Sequence, residues 1–181
     1  MHVSFKPLPV EADEPEFTAI YELWRAKVRS GRLPSRADFD PADLPHAILR
    51  HMLLFDVERH PDRLRFRFRL ASTGFVDLVG REVTGTYIDE LAPPDRTDPV
   101  REALEEISNT GRPIFLASRL TLVSKDYYYV KRLGLPLAQD GVRVDMIMAS
   151  FLPKERSAAQ QLPESLHGNW SEPRENFRCV L

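Results

Sequence analysis

One cysteine, Cys179, stands among the 181 residues, which excludes an intrachain disulfide framework or a cysteine-rich zinc centre. Long apolar runs are missing as well; "MLLF" and "IFLA" are far too short to cross a bilayer. The opening "MHVSFKPLPVEADEPEF" has no basic segment followed by an apolar stretch, so no signal peptide is expected. Neither sign of charge dominates. With 25 Lys and Arg against 27 Asp and Glu, the formal charge of −2 offers no general attraction to nucleic acid or an anionic membrane. G-x-S-x-G, P-loop, G-x-G-x-x-G and H-E-x-x-H strings are absent, which removes the recognisable nucleophile, phosphate and zinc motifs. No repeat or low-complexity segment is present. These absences leave a soluble, cytoplasmic protein whose length suits one domain with a sizeable core.

What is present is patterned. Phe17, Ile20, Tyr21, Trp24 and Val28 recur at helical spacing and predict an amphipathic helix over about 14–30, stopped by Gly31. Its apolar side must be buried, either on the chain's own sheet or against a second copy or a partner. The string "GRLPSRADFDPADLP" (31–45) follows, with Asp40 as a helix N-cap ahead of Pro41. "MLLFDVE" (52–58) reads as a buried strand and "HPDR" (60–63) as a turn. "LRFRFRL" (64–70) alternates without a fault, with Leu64, Phe66, Phe68 and Leu70 on one face and Arg65, Arg67 and Arg69 on the other.

Short helical segments are predicted over 72–80, ended by Gly80, and over 85–95, ended by Pro93 and Pro94. A longer helix runs from Asp95 or Thr97 to Gly111, with Val100, Leu104 and Ile107 on its inner stripe. Strands over 113–123, 126–137 and 142–152 follow, the last two joined at Asp140-Gly141. Strand-rich ends around a helical middle predict an α+β domain: a five-stranded antiparallel sheet with helices on one face and an N-terminal flanking helix. The expected organisation is an extension, helix and linker over 1–45, the sheet domain over 46–153 and an irregular tail over 154–181.

This order resembles a PAS domain. "LASTGFVDLVGREVTG" is similar to the PAS stretch in which a short helix ends at one glycine and a second follows, here Gly80 and Gly85. "IDELAPPDR", "ALEEISNTGRPI" and "LGLPLAQDGVRV" resemble the segment before the long helix, that helix with its exit into the third strand, and the hairpin before the last strand. More narrowly, "YELWRAKVRSGRLPSRADFDPADLP" followed by "LLFDV" and "RFRFRL" is similar to the start of a family of small bacterial proteins with one PAS-like domain behind an N-terminal helix. The resemblance covers roughly residues 17 to 152. It implies a sensory or protein-interaction module with a cavity between sheet and helices, often dimeric.

The same resemblance bears on cofactors. Heme-binding PAS domains carry their axial histidine on the long helix, and residues 95 to 110 have none, so heme is not expected. Flavin-photoreceptor PAS domains carry an N-C-R-F-x-Q string where this chain has "GTYIDELAPPD", so covalent flavin photochemistry is not expected either. Non-covalent flavin and other small organic ligands stay open.

Each candidate site has a plainer reading beside it. Asp38, Asp40 and Asp43 are oxygen donors at short spacing, but their loop lacks the internal glycine and distal acid that a hard-cation loop needs. Turn and cap duty, with Arg32 and Arg36 as ion-pair partners, is favoured, and no metal site is predicted. Arg65, Arg67 and Arg69 form the most basic local patch, yet pairing with acids such as Glu58 or Asp145 outweighs nucleic-acid binding. Candidate pocket residues are Phe66, Phe68, Phe75, Tyr87, Leu104, Phe115, Tyr127, Tyr129, Met146 and Met148, with Arg119 or Ser118 as polar handles. Any of these can equally be plain core.

The function expected is a non-enzymatic sensory or regulatory module that binds a small molecule, a protein partner or both in the cytoplasm, acting in trans. Phe17, Ile20, Tyr21, Trp24 and Val28 are its candidate dimer or partner surface. The alternative is a small enzyme of the isomerase or cyclase kind on a similar α+β cone, using a pocket acid–base pair. No histidine falls in the predicted pocket elements, which weighs against it.

Overall fold

The alternation of "LRFRFRL" is realised as strand β2 (Leu64–Ala71), which pairs antiparallel with β1 (Met52–Arg59) across the 60–63 turn. The computed structural model describes residues 5–44, 46–91, 94–119, 128–155 and 177–181. Strands β3 (Ile114–Arg119), β4 (Tyr128–Leu137), β5 (Met146–Glu155) and β6 (Phe177–Val180) complete one antiparallel sheet. Its order is β2-β1-β5-β4-β3-β6. The sheet therefore has six strands rather than five. The sixth comes from the tail expected to be irregular, and it adds to the edge of β3 with Cys179 opposite Phe115. Four residues carry too little alternation to announce a strand; the open edge of β3 supplies the pairing that their own pattern does not.

The helices are α1 (Pro15–Lys27), α2 (His46–Leu49), α3 (Thr73–Val79) and α4 (Pro94–Thr110). Pro15 opens α1 at a position where a missing N–H costs nothing. Gly80 ends α3 in the left-handed region at φ +77°, with its N–H on the Val76 carbonyl at 2.7 Å. In the segment 85–95, the described residues before α4 contribute a 3₁₀ turn, Ile88–Glu90, and Pro94 already opens α4. No helix among the described residues is long and apolar enough to cross a membrane.

Both faces of the sheet are covered, and two separate apolar cores result. On the inner face, α3 and α4 close over Leu53, Phe55, Phe66, Phe68, Ile147 and Phe151. On the outer face, α1 and the segment before β1 close over Leu54, Phe115, Leu133, Leu135, Met146 and Met148. The apolar stripe of α1, the candidate dimer or partner surface, packs on the chain's own sheet. Phe17, Ile20, Tyr21 and Trp24 are at most 1% exposed, with Val28 partly buried beside them. Each large side chain buried this way contributes roughly 1.5–3 kcal/mol. Phe17 meets Phe115 edge-on at 5.9 Å, and the Tyr21 hydroxyl donates to the Lys6 carbonyl at 2.6 Å. Burial pushes the Tyr21 phenol up to about 12.

The string 31–45 is a joint. Leu33 N–H donates to the Gly141 carbonyl and Ala138 N–H to the Pro34 carbonyl, both at 2.9 Å, stitching it to the β4–β5 turn. Asp38 accepts from the Ser35 amide at 2.7 Å and hydroxyl at 2.8 Å, and these bonds hold its carboxyl below the ordinary range. Asp40 caps the Ala42 amide at 2.9 Å. The arginines do not pair with these acids as expected. Arg36 donates to the Phe39 carbonyl and Arg32 to the Asp140 carbonyl.

Candidate functional site

A strand buried on both faces is apolar at every position, so its sequence does not say which parity points inward. This divides the expected pocket residues. Phe66, Phe68, Phe75 and Leu104 lie together on the inner face under α3 and α4. Phe115, Met146 and Met148 lie in the outer core beneath α1 and line nothing on the inner side. Their inner counterparts are one residue along: Leu116, Ile147 and Ala149, with Phe151 beyond. Tyr87 sits at the β2 edge, its hydroxyl donating to Glu58 at 2.8 Å and its ring 3.5 Å from the Arg65 guanidinium carbon. Tyr127 falls outside the described residues, and Arg119 and Tyr129 are described in backbone only.

The inner face is built from rings in sequence. Phe55 meets Phe68 at 4.7 Å, Phe68 meets Phe75 at 5.6 Å, and Phe75 meets Phe151 edge-on at 5.3 Å. Gly134 lets α4 come down onto β4, since a Cβ there would collide with the Ile107 methyl. Arg59, at the end of β1, donates to the Ser108 and Val144 carbonyls at 3.1 and 3.0 Å and so caps the last turn of α4. Desolvation lowers its pKa.

A polar pair, Arg132 with Ser118, interrupts this lining. Arg132 on β4 lies opposite Leu116 on β3 and Phe151 on β5, and therefore shares their inner face. Its Nη1 donates to the Ser118 hydroxyl at 2.7 Å and to the Val130 carbonyl at 3.1 Å. No carboxylate among the described residues pairs with it. Desolvation alone brings its pKa down to about 10, yet the side chain keeps some accessible surface. The neighbouring Lys131 points the other way and is paired, reaching Glu14 at 2.9 Å beside Lys154. No sequence motif marks Arg132. The available signal was the adjacent pair Lys131-Arg132 in a doubly buried strand, which must send one charge to each face.

The arginine row of β2 is neutralised. Arg67 pairs with Asp56 at 2.9 Å and Glu58 at 3.0 Å, Arg69 with Asp56 at 3.4 Å, and Arg65 with Glu90 at 3.5 Å. Asp145, the other acid considered for this role, instead accepts from the Gln139 amide. The carboxylate–histidine pair among the described residues, Glu58 with His60 at 3.6 Å, lies at the solvent-facing end of the β1–β2 hairpin rather than inside the domain. Cys179 faces the outer core opposite Phe115, so no thiol reaches a ring system held on the inner face.

Residues 12–152 match a family model described as the PAS domain, a span that includes α1, β1 to β4 and most of β5. No curated protein matches the chain. A Rhodobacter sphaeroides LOV protein is similar over 79% of this chain and 70% of its own, at 16% identity and a TM-score of 0.47. A light-oxygen-voltage domain from a flavin-analogue study covers 64% of this chain and 85% of its own, at 18% identity and 0.42. An RNA-binding light-oxygen-voltage receptor covers 88% of this chain and 39% of its own, at 16% identity and 0.43.

Proposed function

The chain belongs to the PAS-domain family, and from that premise we propose that it is a sensory or regulatory module, not an enzyme, that binds a small organic molecule on its inner sheet face. The proposed setting is the cytoplasm, and the proposed output is contact with a separate protein. The observation that carries the reading is the separation of the two cores. The inner core under α3 and α4 holds aromatic rings with the Arg132–Ser118 pair among them, while the outer core is closed by α1. An occupant of the inner side can therefore be sensed without unpacking the helix on the outer side.

A partner that used Phe17, Ile20, Tyr21 and Trp24 directly would first have to lift α1 from the sheet, because all four are spent on the chain's own core. The proposed partner surface is accordingly the solvent side of α1, changed in position by what the sheet holds. Covalent flavin does not fit, since the single cysteine lies on the opposite face. Native mass spectrometry on chain purified without added ligand tests the reading. An excess mass that is lost on denaturation is expected. A bare mass, together with no inner-face amide shift from a panel of small organic molecules, would sink it.

A further inference from the structure

We propose that Arg132 and Ser118 form an anion-recognising end to the inner face, and that the ligand is a small organic carboxylate with an apolar body. The inference rests on the ligand-binding reading above and specifies the chemistry of that site. A guanidinium carries five N–H donors. Nη1 is engaged by Ser118 and Val130, whereas Nε and Nη2 have no acceptor among the described residues. These two nitrogens form the side-on fork that matches the two oxygens of a carboxylate. Ser118 fixes the far side of the guanidinium and so sets the direction of the fork.

The surroundings argue against a merely structural role. An unpaired charge in an apolar setting is costly unless something completes it. The comparable arginine on this face, Arg59, is completed by the carbonyl end of α4, which is itself partly negative. Lys131, the next residue on β4, is completed by Glu14. Arg132 has neither a helix end nor an acid, and Leu116, Val130 and Phe151 around it are all buried and apolar. Desolvation of its charge fits a site where an anion would be felt strongly. A single guanidinium suits a monoanion. A phosphate dianion would call for a second cation, and the other described arginines of this face are already engaged, Arg59 by the Ser108 and Val144 carbonyls and Arg178, in the same row as Arg132, by Glu102 and Glu106. The apolar neighbours suit an aliphatic or aryl body.

Octanoate and its uncharged match, octanamide, separate the charge from the chain. Titration calorimetry and amide shifts at Leu116, Val130 and Phe151 are the readouts. Octanoate is expected to bind at least about tenfold more tightly than octanamide, and Arg132→Met to remove that preference. Arg132→Lys, which keeps the charge but loses the fork, should restore part of it, and circular dichroism checks that each variant is folded. Equal binding of the two probes, or an undiminished preference in folded Arg132→Met, overturns the inference while the ligand-binding reading stands. Failure of both probes to move these amides also overturns it, and the ligand-binding reading is then decided separately by native mass spectrometry.

Discussion

The indole Nε1 of Trp24 donates to the carbonyl of Pro136 at 2.8 Å, tying the flanking helix to the middle of the sheet across 112 residues of sequence. Trp24 is fully buried, with Phe5 edge-on to its ring at 4.9 Å and Tyr21 stacked at 6.2 Å. Trp24→Phe keeps most of the apolar contact but leaves that carbonyl without its donor. A loss of about 1–3 kcal/mol is expected in urea unfolding. Trp24→Glu should unfold the outer core rather than change the mass seen by light scattering.

Glu14 anchors the start of the same helix. Burial pushes its carboxyl up, but the hydrogen bonds and charges of Lys131 and Lys154 outweigh this and leave it below its ordinary value. A lowered folded pKa means that the stabilisation is complete above the unfolded value of 4.5 and is lost as pH falls through the folded one. Glu14→Gln should therefore be less stable than the parent near pH 7, and the two should converge in acid. A stability gap that persists unchanged at low pH would refute this account.

Gly74 begins α3 where the Arg50 carbonyl accepts its N–H at 3.1 Å. A Cβ on Gly74 would run into that same backbone oxygen, and backbone cannot swing aside as a side-chain tip can. Gly74→Ala should cost about 1–3 kcal/mol in spite of alanine's better helix propensity. Thermal unfolding measures it, and a neutral or raised midpoint would contradict the packing described.

Arg132→Met should raise stability, or at least not lower it, by removing a desolvated charge. The folded pKa near 10 lies below the ordinary arginine value, so the cost is present throughout the range below about pH 10. A gain of about 1–2 kcal/mol in chemical denaturation is expected without ligand. A marked loss would mean that the guanidinium holds the fold together.

The element order, the clean face of β2 and the glycine stops were legible in the sequence because each rests on local periodicity or a local backbone demand. Phe66 and Phe68 share the inner face, as the arginines alternating with them require. Phe115, Met146 and Met148 lie on the outer face, which the sequence does not announce because in "IFLA" and "MIMASFL" both parities are apolar. What buries the second parity is α1, arriving from a hundred residues away in sequence, and no local pattern reports it. The same distance hid the choice between self-packing and partnering for the stripe of Trp24. The strand "FRCV" needed the open edge of β3 to become one.

Lys131 and Arg132 are consecutive residues of β4, yet one grips the flanking helix through Glu14 and the other faces Ser118 beneath α4. Successive strand side chains point to opposite sides. On the proposed reading the peptide between them is a fulcrum: a roll of β4 that drew Arg132 toward an occupant would draw Lys131 away from Glu14. The sheet would then work as a see-saw beam between the two cores, with weight placed in one read as slack in the grip on the helix in the other.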